Sequence, residues 1–178
     1  MNFNDIPSLT KYAGYKCDVS WTYLLEYLDR ALNEDGLDLL PDFQRGHVWT
    51  EAQQVAYVEY ALRDGAMTGF DLYFNCPGWN RGQRNGPYVI VDGLQRLTAA
   101  TKFMRNELCA YGLLYREFEG KLGICHPMFH WHINDLPKRH QVLKWYLEFN
   151  SGGTPHSQTE LDRVQKLFEA EMMFQPPF

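Results

Sequence analysis

Asp92, Gln95 and Arg96 are the residues of this chain whose types and spacing best suit chemistry. They follow an apolar run at 88–91, and a helical pattern over 94–106 begins at once. They therefore stand at a strand end and in the first turn of a helix, where free N–H groups and the helix dipole favour an anion. A guanidinium there can grip phosphate oxygens, and a carboxylate can hold a divalent metal or orient a water. The alternative is an Asp-Gly turn with Arg96 in an ordinary surface ion pair.

A second polar segment, residues 42–49, places Gln44 and Arg45 between Phe43 and Trp49. Buried aromatics on either side would hold the two polar side chains in fixed directions, as a recognition site requires. The alternative is a loop that is simply anchored by its aromatic residues.

A third segment, residues 150–154, reads Asn-Ser-Gly-Gly-Thr. Consecutive glycines let the backbone turn its N–H groups inward and surround an anion. The alternative is a plain connector before the next helix.

Several familiar site motifs are missing from the sequence. It has no Walker motif, no Gly-x-Ser-x-Gly elbow and no His-Glu-x-x-His, which argues against P-loop NTPases and classical hydrolases. His130 and His132 would share one face of a strand, yet together with Cys125 and His126 they match no standard zinc spacing. We expect them to be surface or partly buried histidines.

Composition indicates one globular domain over residues 1–178, with 45% hydrophobic and 15% aromatic residues. A net charge of -5 argues against coating nucleic acid through bulk electrostatics. It leaves open a local basic groove or a solvated face at Arg81, Arg84, Arg96, Lys102 and Arg105. Four scattered cysteines, no signal peptide and no apolar run of bilayer length predict a reduced, cytoplasmic protein without membrane contact.

Hydrophobic periodicity predicts both helices and strands. Helices are expected over 20–33, after the capping box at 50–53, over 94–106 and after a second capping box at 157–160. Strands are expected over 70–75, 88–91, 110–118 and 128–133. Residues 142–149 fit either type, and 76–87 form a long loop that could bind or gate.

A resemblance to a known family spans roughly residues 20–165. Three segments carry it, in chain order: 41–49, 91–98, and 149–154 followed by Glu160-Leu161. The chain resembles the GmrSD-type N-terminal family (domain of unknown function 262), a branch of the ParB/sulfiredoxin-like superfamily. That family shows Pro-x-Phe-Gln-Arg-x-x-x-Trp, then Asp-Gly-Gln-Gln-Arg-Leu-Thr, then Asn-x-Gly-Gly before a helix with an acidic start.

The resemblance implies an α+β, ParB/sulfiredoxin-like single domain, with a small mixed sheet and surrounding helices. It further implies binding and hydrolysis of an NTP (GTP, CTP or ATP) with Mg²⁺, in the manner of modified-DNA restriction and phage-defence proteins. The implied catalytic residues are Asp92, Gln95 and Arg96, with Asp92 as the Mg²⁺ ligand. The implied nucleotide- and phosphate-binding residues are Gln44, Arg45, Gly93, Arg96, Asn150 and Gly153.

Two departures from the family pattern are visible. Leu94 replaces the first Gln of the central motif, which removes an amide donor and acceptor. We also expect no C-terminal HNH nuclease module of the kind that full-length relatives usually carry.

Three functions therefore stay open: an NTPase that acts alone or as a subunit, a non-catalytic module or decoy of phage or mobile-element origin that senses nucleotide or DNA, and a stand-alone nuclease. The expected partners are a nucleotide and either DNA or a nuclease or defence-system protein.

Overall fold

A computed structural model describes residues 15–46, 48–63, 68–79, 82, 84–150 and 158–173, with the backbone alone at 150 and 158. Within them lies a five-stranded sheet with the order β1-β5-β3-β4-β2. Its strands are β1 (Lys16–Ser20), β2 (Leu37–Asp38), β3 (Asp71–Asn75), β4 (Tyr88–Asp92) and β5 (Met128–Asn134).

The sheet mixes both kinds of pairing. β1 with β5 and β3 with β4 are antiparallel, whereas β3 with β5 and β2 with β4 are parallel. This confirms the predicted α+β class with a small mixed sheet. The ParB/sulfiredoxin-like lineage and the single-domain assignment stay predictions.

Five helices surround the sheet in the described part of the chain: α1 (Leu24–Asn33), α2 (Glu51–Leu62), α3 (Leu94–Met104), α4 (Arg139–Asn150) and α5 (Gln158–Met173). The capping box that begins α2 is present, with Thr50 and Gln53 bonding each other's backbone N–H groups. Ser20 caps a short 3-10 turn that leads into α1, as its position predicts. The segment 142–149 is helical, and α5 is confirmed although Ser157 lies outside the described residues. No described helix combines the length and apolarity needed to cross a bilayer.

Two apolar cores lie on opposite faces of the sheet. The larger core packs α1, α2 and α3 against one face and includes Trp21, Phe74 and Trp131. The second core packs α4 and α5 against the other face, around Val91 and Tyr146. Since strand side chains alternate between faces, the polar residues of β3 and β5 point toward the α4 side.

The strand predicted over 110–118 is wrong. Ala110 and Leu113 exchange backbone hydrogen bonds around a tight turn, and a 3-10 turn follows at Tyr115–Glu117. Tyr111 and Gly112 adopt positive φ angles of 51° and 75°. These angles fold the backbone on itself, which an apolar pattern alone does not reveal.

Candidate functional site

The junction between β4 and α3 is a strand-turn-helix, as the sequence predicts. Gly93 sits between them with φ 101°, and a Cβ there would lie 2.4 Å from Leu72 Cδ2. Only glycine fits both the angle and the space. The first i to i−4 hydrogen bond runs from Leu97 to Gly93, so the N–H groups of residues 94–96 lack intrahelical partners.

Arg96 is paired with Asp92 at the start of α3. Its Nη2 donates to Asp92 Oδ2 at 2.5 Å and to the backbone oxygen of Asp71 at 3.0 Å. Both side chains are about three-quarters buried, and Nε of Arg96 is buried without a partner in the described part of the chain. The ion pair considered from the sequence is therefore present, but at a partly buried position beside helix N–H groups that have no intrahelical partner.

Gln95 fastens the loop of the first motif to α3. Its Oε1 accepts the N–H groups of Val48 and Trp49 at 3.0 and 3.1 Å, and its Nε2 donates to the oxygen of Gly46 at 3.1 Å. The side chain is buried. These are the contacts of a positioning residue, while the catalytic role implied by the resemblance stays a prediction.

Gln44 and Arg45 lie against the end of β4. Gln44 Nε2 donates to the oxygen of Val91 at 3.4 Å, and Gln44 Oε1 accepts the N–H of Arg45 at 3.2 Å. Arg45 Nη1 meets Glu160 Oε2 of α5 at 3.5 Å, with its side chain mostly buried. Both motifs therefore converge on one end of the sheet.

Charged groups of this region influence the pKa of the Tyr146 hydroxyl on α4. Burial raises the pKa of Tyr146 to about 12; the charge of Arg45 opposes the rise, whereas Glu160 and Asp92 add to it. Phe43 packs edge-on against the Tyr146 ring, with centroids 5.4 Å apart. Arg45 and Asp92, from different motifs, thus act on one side chain.

Arg163 of α5 is a supporting residue that no sequence motif indicates. Its guanidinium donates to the backbone oxygens of Asp42, of Phe43 at 3.0 Å and of Gln44 at 3.5 Å. Nη2 of Arg139 donates to both oxygens of the Asp42 carboxylate, at 2.8 Å to Oδ1 and 2.7 Å to Oδ2. Arg163 occupies an ordinary exposed position of a helix, so only the tertiary structure reveals it.

The third motif is described in part. Asn150 is the last residue of α4, and Gly153 lies with residues 151–157 outside the described part of the chain. The predicted roles of Asn150 and Gly153 stay predictions.

In the predicted basic cluster, Arg84 pairs with Asp35 at 2.5 Å, and Arg81 lies outside the described residues.

Two further polar residues beside Arg96, Asp71 and Tyr73, were missed, and the contact of His132 with Asp71 was not predicted. The register shifts by one residue in the β3–β4 ladder, so Tyr73 pairs with Asp92. A bulge of this kind re-aims a side chain. The pKa of Tyr73 is raised, first by burial and then by Asp71 and Asp92, with Arg96 opposing. Alternation along β3 and β5 was the available sequence signal.

His130 and His132 share a face of β5 and are partly buried, as predicted. Each meets a carboxylate oxygen: His130 Nδ1 lies 2.7 Å from Asp18, and His132 Nε2 lies 2.6 Å from Asp71. Among the described residues, no three His, Cys, Asp or Glu side chains are grouped as metal ligands.

Leu94, the residue that departs from the family pattern, lies in the core. Leu94 is 6% exposed and belongs to the apolar cluster on the α1–α3 side of the sheet. In this chain, the side chain that replaces the family's Gln packs inward.

A family model described as the GmrSD restriction endonuclease, N-terminal domain, matches residues 24–123. The chain belongs to this family. The GmrSD match includes the first two motifs with Gln44, Arg45 and Asp92, and it confirms the resemblance found in the sequence. Membership of this family indicates a role in a restriction system. Strand β5 and helices α4 and α5 lie beyond the matched segment. Comparisons with curated proteins and with solved structures gave no match.

Proposed function

We propose that this chain binds and hydrolyses a nucleoside triphosphate (GTP, CTP or ATP) at the β4–α3 junction, within a cytoplasmic restriction or phage-defence system. One observation carries the proposal: Gln95 fastens the loop of Arg45 beside the N-terminus of α3. Two guanidinium groups and free backbone N–H groups are thereby brought to one end of the sheet. Such a combination suits the phosphate groups of a nucleotide.

The charge balance favours a nucleotide that arrives with a divalent cation. Arg96 is paired with Asp92, and Arg45 is paired with Glu160, so a bare anion must compete with two carboxylates. Mg²⁺ commonly uses one or two carboxylates together with phosphate oxygens. Oδ1 of Asp92 has no hydrogen-bond partner among the described residues, so this carboxylate fits as the protein ligand.

When bound, Mg²⁺ would neutralise charge on the phosphate oxygens. The chain's own contribution is binding and orientation: Arg96 and Arg45 hold the phosphate oxygens, and the N–H groups of 94–96 face the same charge. Gln95 keeps the Arg45 loop in place. Positioning and electrostatics supply most of the catalysis in phosphoryl transfer.

Calorimetric titration with GTP, CTP and ATP, with and without Mg²⁺, tests binding. Arg96→Ala should weaken binding at least about tenfold, as expected for a lost charge-assisted contact. Arg30→Ala is the matched control, because Arg30 also forms an i,i+4 ion pair, with Glu34, but lies exposed on α1. Absence of binding by the wild-type chain, or equal binding by Arg96→Ala, would overturn the proposal.

A second function is a binding module without turnover that senses a nucleotide or DNA or acts as a decoy. The closed Arg96–Asp92 pair and the inward-facing Leu94 favour it. A phosphate-release assay separates the two: turnover that Asp92→Ala abolishes while binding persists supports the enzyme, and binding without turnover supports the module. A metal-dependent DNA-cleavage assay tests the stand-alone nuclease, and a pull-down with DNA or a nuclease subunit tests the partners.

A further inference from the structure

A row of polar side chains crosses the sheet beside the proposed nucleotide site. In the ladders, Lys16 of β1 pairs with His132 of β5, His132 pairs with Tyr73 of β3, and Tyr73 pairs with Asp92 of β4. Directly paired residues project to the same face of a sheet. His132 is therefore on the face from which Tyr73 meets the charges of Asp92 and Arg96.

The imidazole of His132 is held in one orientation. Its ring stacks on Tyr73 with centroids 4.8 Å apart and an interplanar angle of 13°. Tyr73 in turn packs against Phe149 and Trp145 of α4, at centroid distances of 4.6 and 6.4 Å. A side chain whose neighbours fix its rotamer meets a requirement for a catalytic group.

The partner of His132 determines its tautomer. Nε2 lies 2.6 Å from Asp71 Oδ1, and an ionised carboxylate only accepts hydrogen bonds. Nε2 therefore carries the hydrogen, and in the neutral ring Nδ1 keeps a free lone pair. Nδ1 has no partner in the described part of the chain, and the side chain is 26% exposed.

Asp71 connects His132 to the guanidinium of the proposed site. Its carboxylate holds His132, and its backbone oxygen accepts Arg96 Nη2 at 3.0 Å. One residue of β3 thus positions both a phosphate-binding cation and an imidazole with an available lone pair.

We propose that His132, oriented by Asp71, accepts a proton from the water that attacks the terminal phosphorus of the bound NTP; this rests on the proposed function. The water oxygen forms the new bond to phosphorus as its proton passes to Nδ1. The bond between that phosphorus and the bridging oxygen breaks, and its electron pair leaves with the NDP. The imidazolium then releases the proton to solvent, so that NTP and water give NDP, inorganic phosphate and a proton.

Steady-state hydrolysis of each Mg²⁺-NTP by His132→Asn and Asp71→Asn tests this role. His132→Asn should lower kcat by about 10²–10⁴-fold, the usual contribution of general base catalysis, with Kd for the NTP nearly unchanged. His130→Asn is the matched control, because His130 lies on the same face and meets Asp18 at 2.7 Å. Its kcat should equal that of the wild type.

The pH profile gives a second readout. A neutral imidazole acts as the base, so wild-type kcat should fall toward low pH, where the ring is protonated and can no longer accept the proton. In the His132→Asn variant, kcat should no longer show this fall toward low pH. The titratable or charged groups beside His132 are Lys16 of β1 and Asp71 and Tyr73 of β3, with His130 on the same face of β5; Asp92 of β4 and Arg96 of α3 act on Tyr73.

NMR of the histidine side chains in the folded wild-type chain keeps the test valid if a variant unfolds. Addition of the Mg²⁺-NTP should shift the His132 resonances and leave those of His130 in place. A wild-type chain that hydrolyses NTP while His132→Asn keeps its kcat, or while the His132 resonances stay fixed, overturns this inference alone. A wild-type chain that neither binds nor hydrolyses any NTP overturns the proposed function and this inference with it.

Discussion

Trp49 donates its backbone N–H to Oε1 of Gln95 at 3.1 Å, across 46 residues of sequence. The same oxygen accepts the N–H of Val48, and the amide nitrogen donates to Gly46. The Phe-Gln-Arg segment and the Asp-Gly-x-Gln-Arg segment are therefore two parts of one structure. Neither segment alone brings Arg45 and Arg96 to the same end of the sheet.

Gln95→Ala should lower the free energy of unfolding by about 2–3 kcal/mol. The substitution leaves two N–H groups and one carbonyl without their buried partner, and each unmet group costs about 1 kcal/mol or more. Urea unfolding measures the loss. Gln95→Glu should retain part of the stability, because a carboxylate still accepts both N–H groups but repels the oxygen of Gly46.

Gln165→Ala serves as the control for Gln95, because Gln165 is an exposed residue of α5 that bonds only Glu169 among the described residues. Its effect should stay within about 0.5 kcal/mol. Equal stability of Gln95→Ala and Gln165→Ala would show that Gln95 does not hold the loop.

Gly93→Ala should cost about 3 kcal/mol or more of folding free energy. A methyl group would overlap Leu72 Cδ2 at 2.4 Å, and the φ of 101° is unfavourable for alanine. Gly36→Ala is the control, since Gly36 has φ 69° but no atom within 4 Å of an added Cβ. It should cost only about 1 kcal/mol of backbone strain in the same urea experiment. Similar losses in both variants would contradict a tight junction at Gly93.

Asp92→Asn should separate anion binding from metal dependence. The change removes the negative charge beside Arg96, so inorganic phosphate without Mg²⁺ should bind about three- to tenfold more tightly. The benefit of Mg²⁺ for NTP binding should disappear, because an amide is a poor ligand for this cation. Calorimetry measures both effects, and Glu34→Gln at the exposed Arg30 pair is the control. Weaker phosphate binding by Asp92→Asn would contradict competition between Asp92 and the anion.

Local signals in the sequence predicted much of this site. The capping box at Thr50 and the Asp-Gly step between an apolar run and a helical pattern depend on neighbouring residues, and both are confirmed. The partners of Arg45 and His132 depend on tertiary contacts, Glu160 on α5 and Asp71 on β3. The pairing of Tyr73 with Asp92 depends on a register shift in the β3–β4 ladder, which carries no sequence signal.

Arg163→Ala should loosen the turn that carries Gln44 and Arg45. Three backbone oxygens lose their donor, so amide hydrogen exchange should accelerate at Gln44, whose N–H bonds Pro41 at 2.8 Å. NTP affinity should fall about three- to tenfold through misplacement of Arg45. Lys166→Ala removes a cation from the same helix and should change neither quantity. Unchanged exchange at Gln44 in Arg163→Ala would show that α5 does not order this turn.

Leu94→Gln tests what the departure from the family pattern does in this chain. Leu94 is 6% exposed in the α1–α3 core, so a glutamine amide would be buried there without partners. We expect a loss of about 2–4 kcal/mol of folding free energy and no gain in NTP hydrolysis. Leu94→Met keeps volume and polarity and should cost less than about 1.5 kcal/mol. Urea unfolding and a phosphate-release assay on the wild type, Leu94→Gln and Leu94→Met measure these effects. A Leu94→Gln variant that is as stable as the wild type and hydrolyses NTP faster would mean that the side chain at 94 reaches the bound nucleotide.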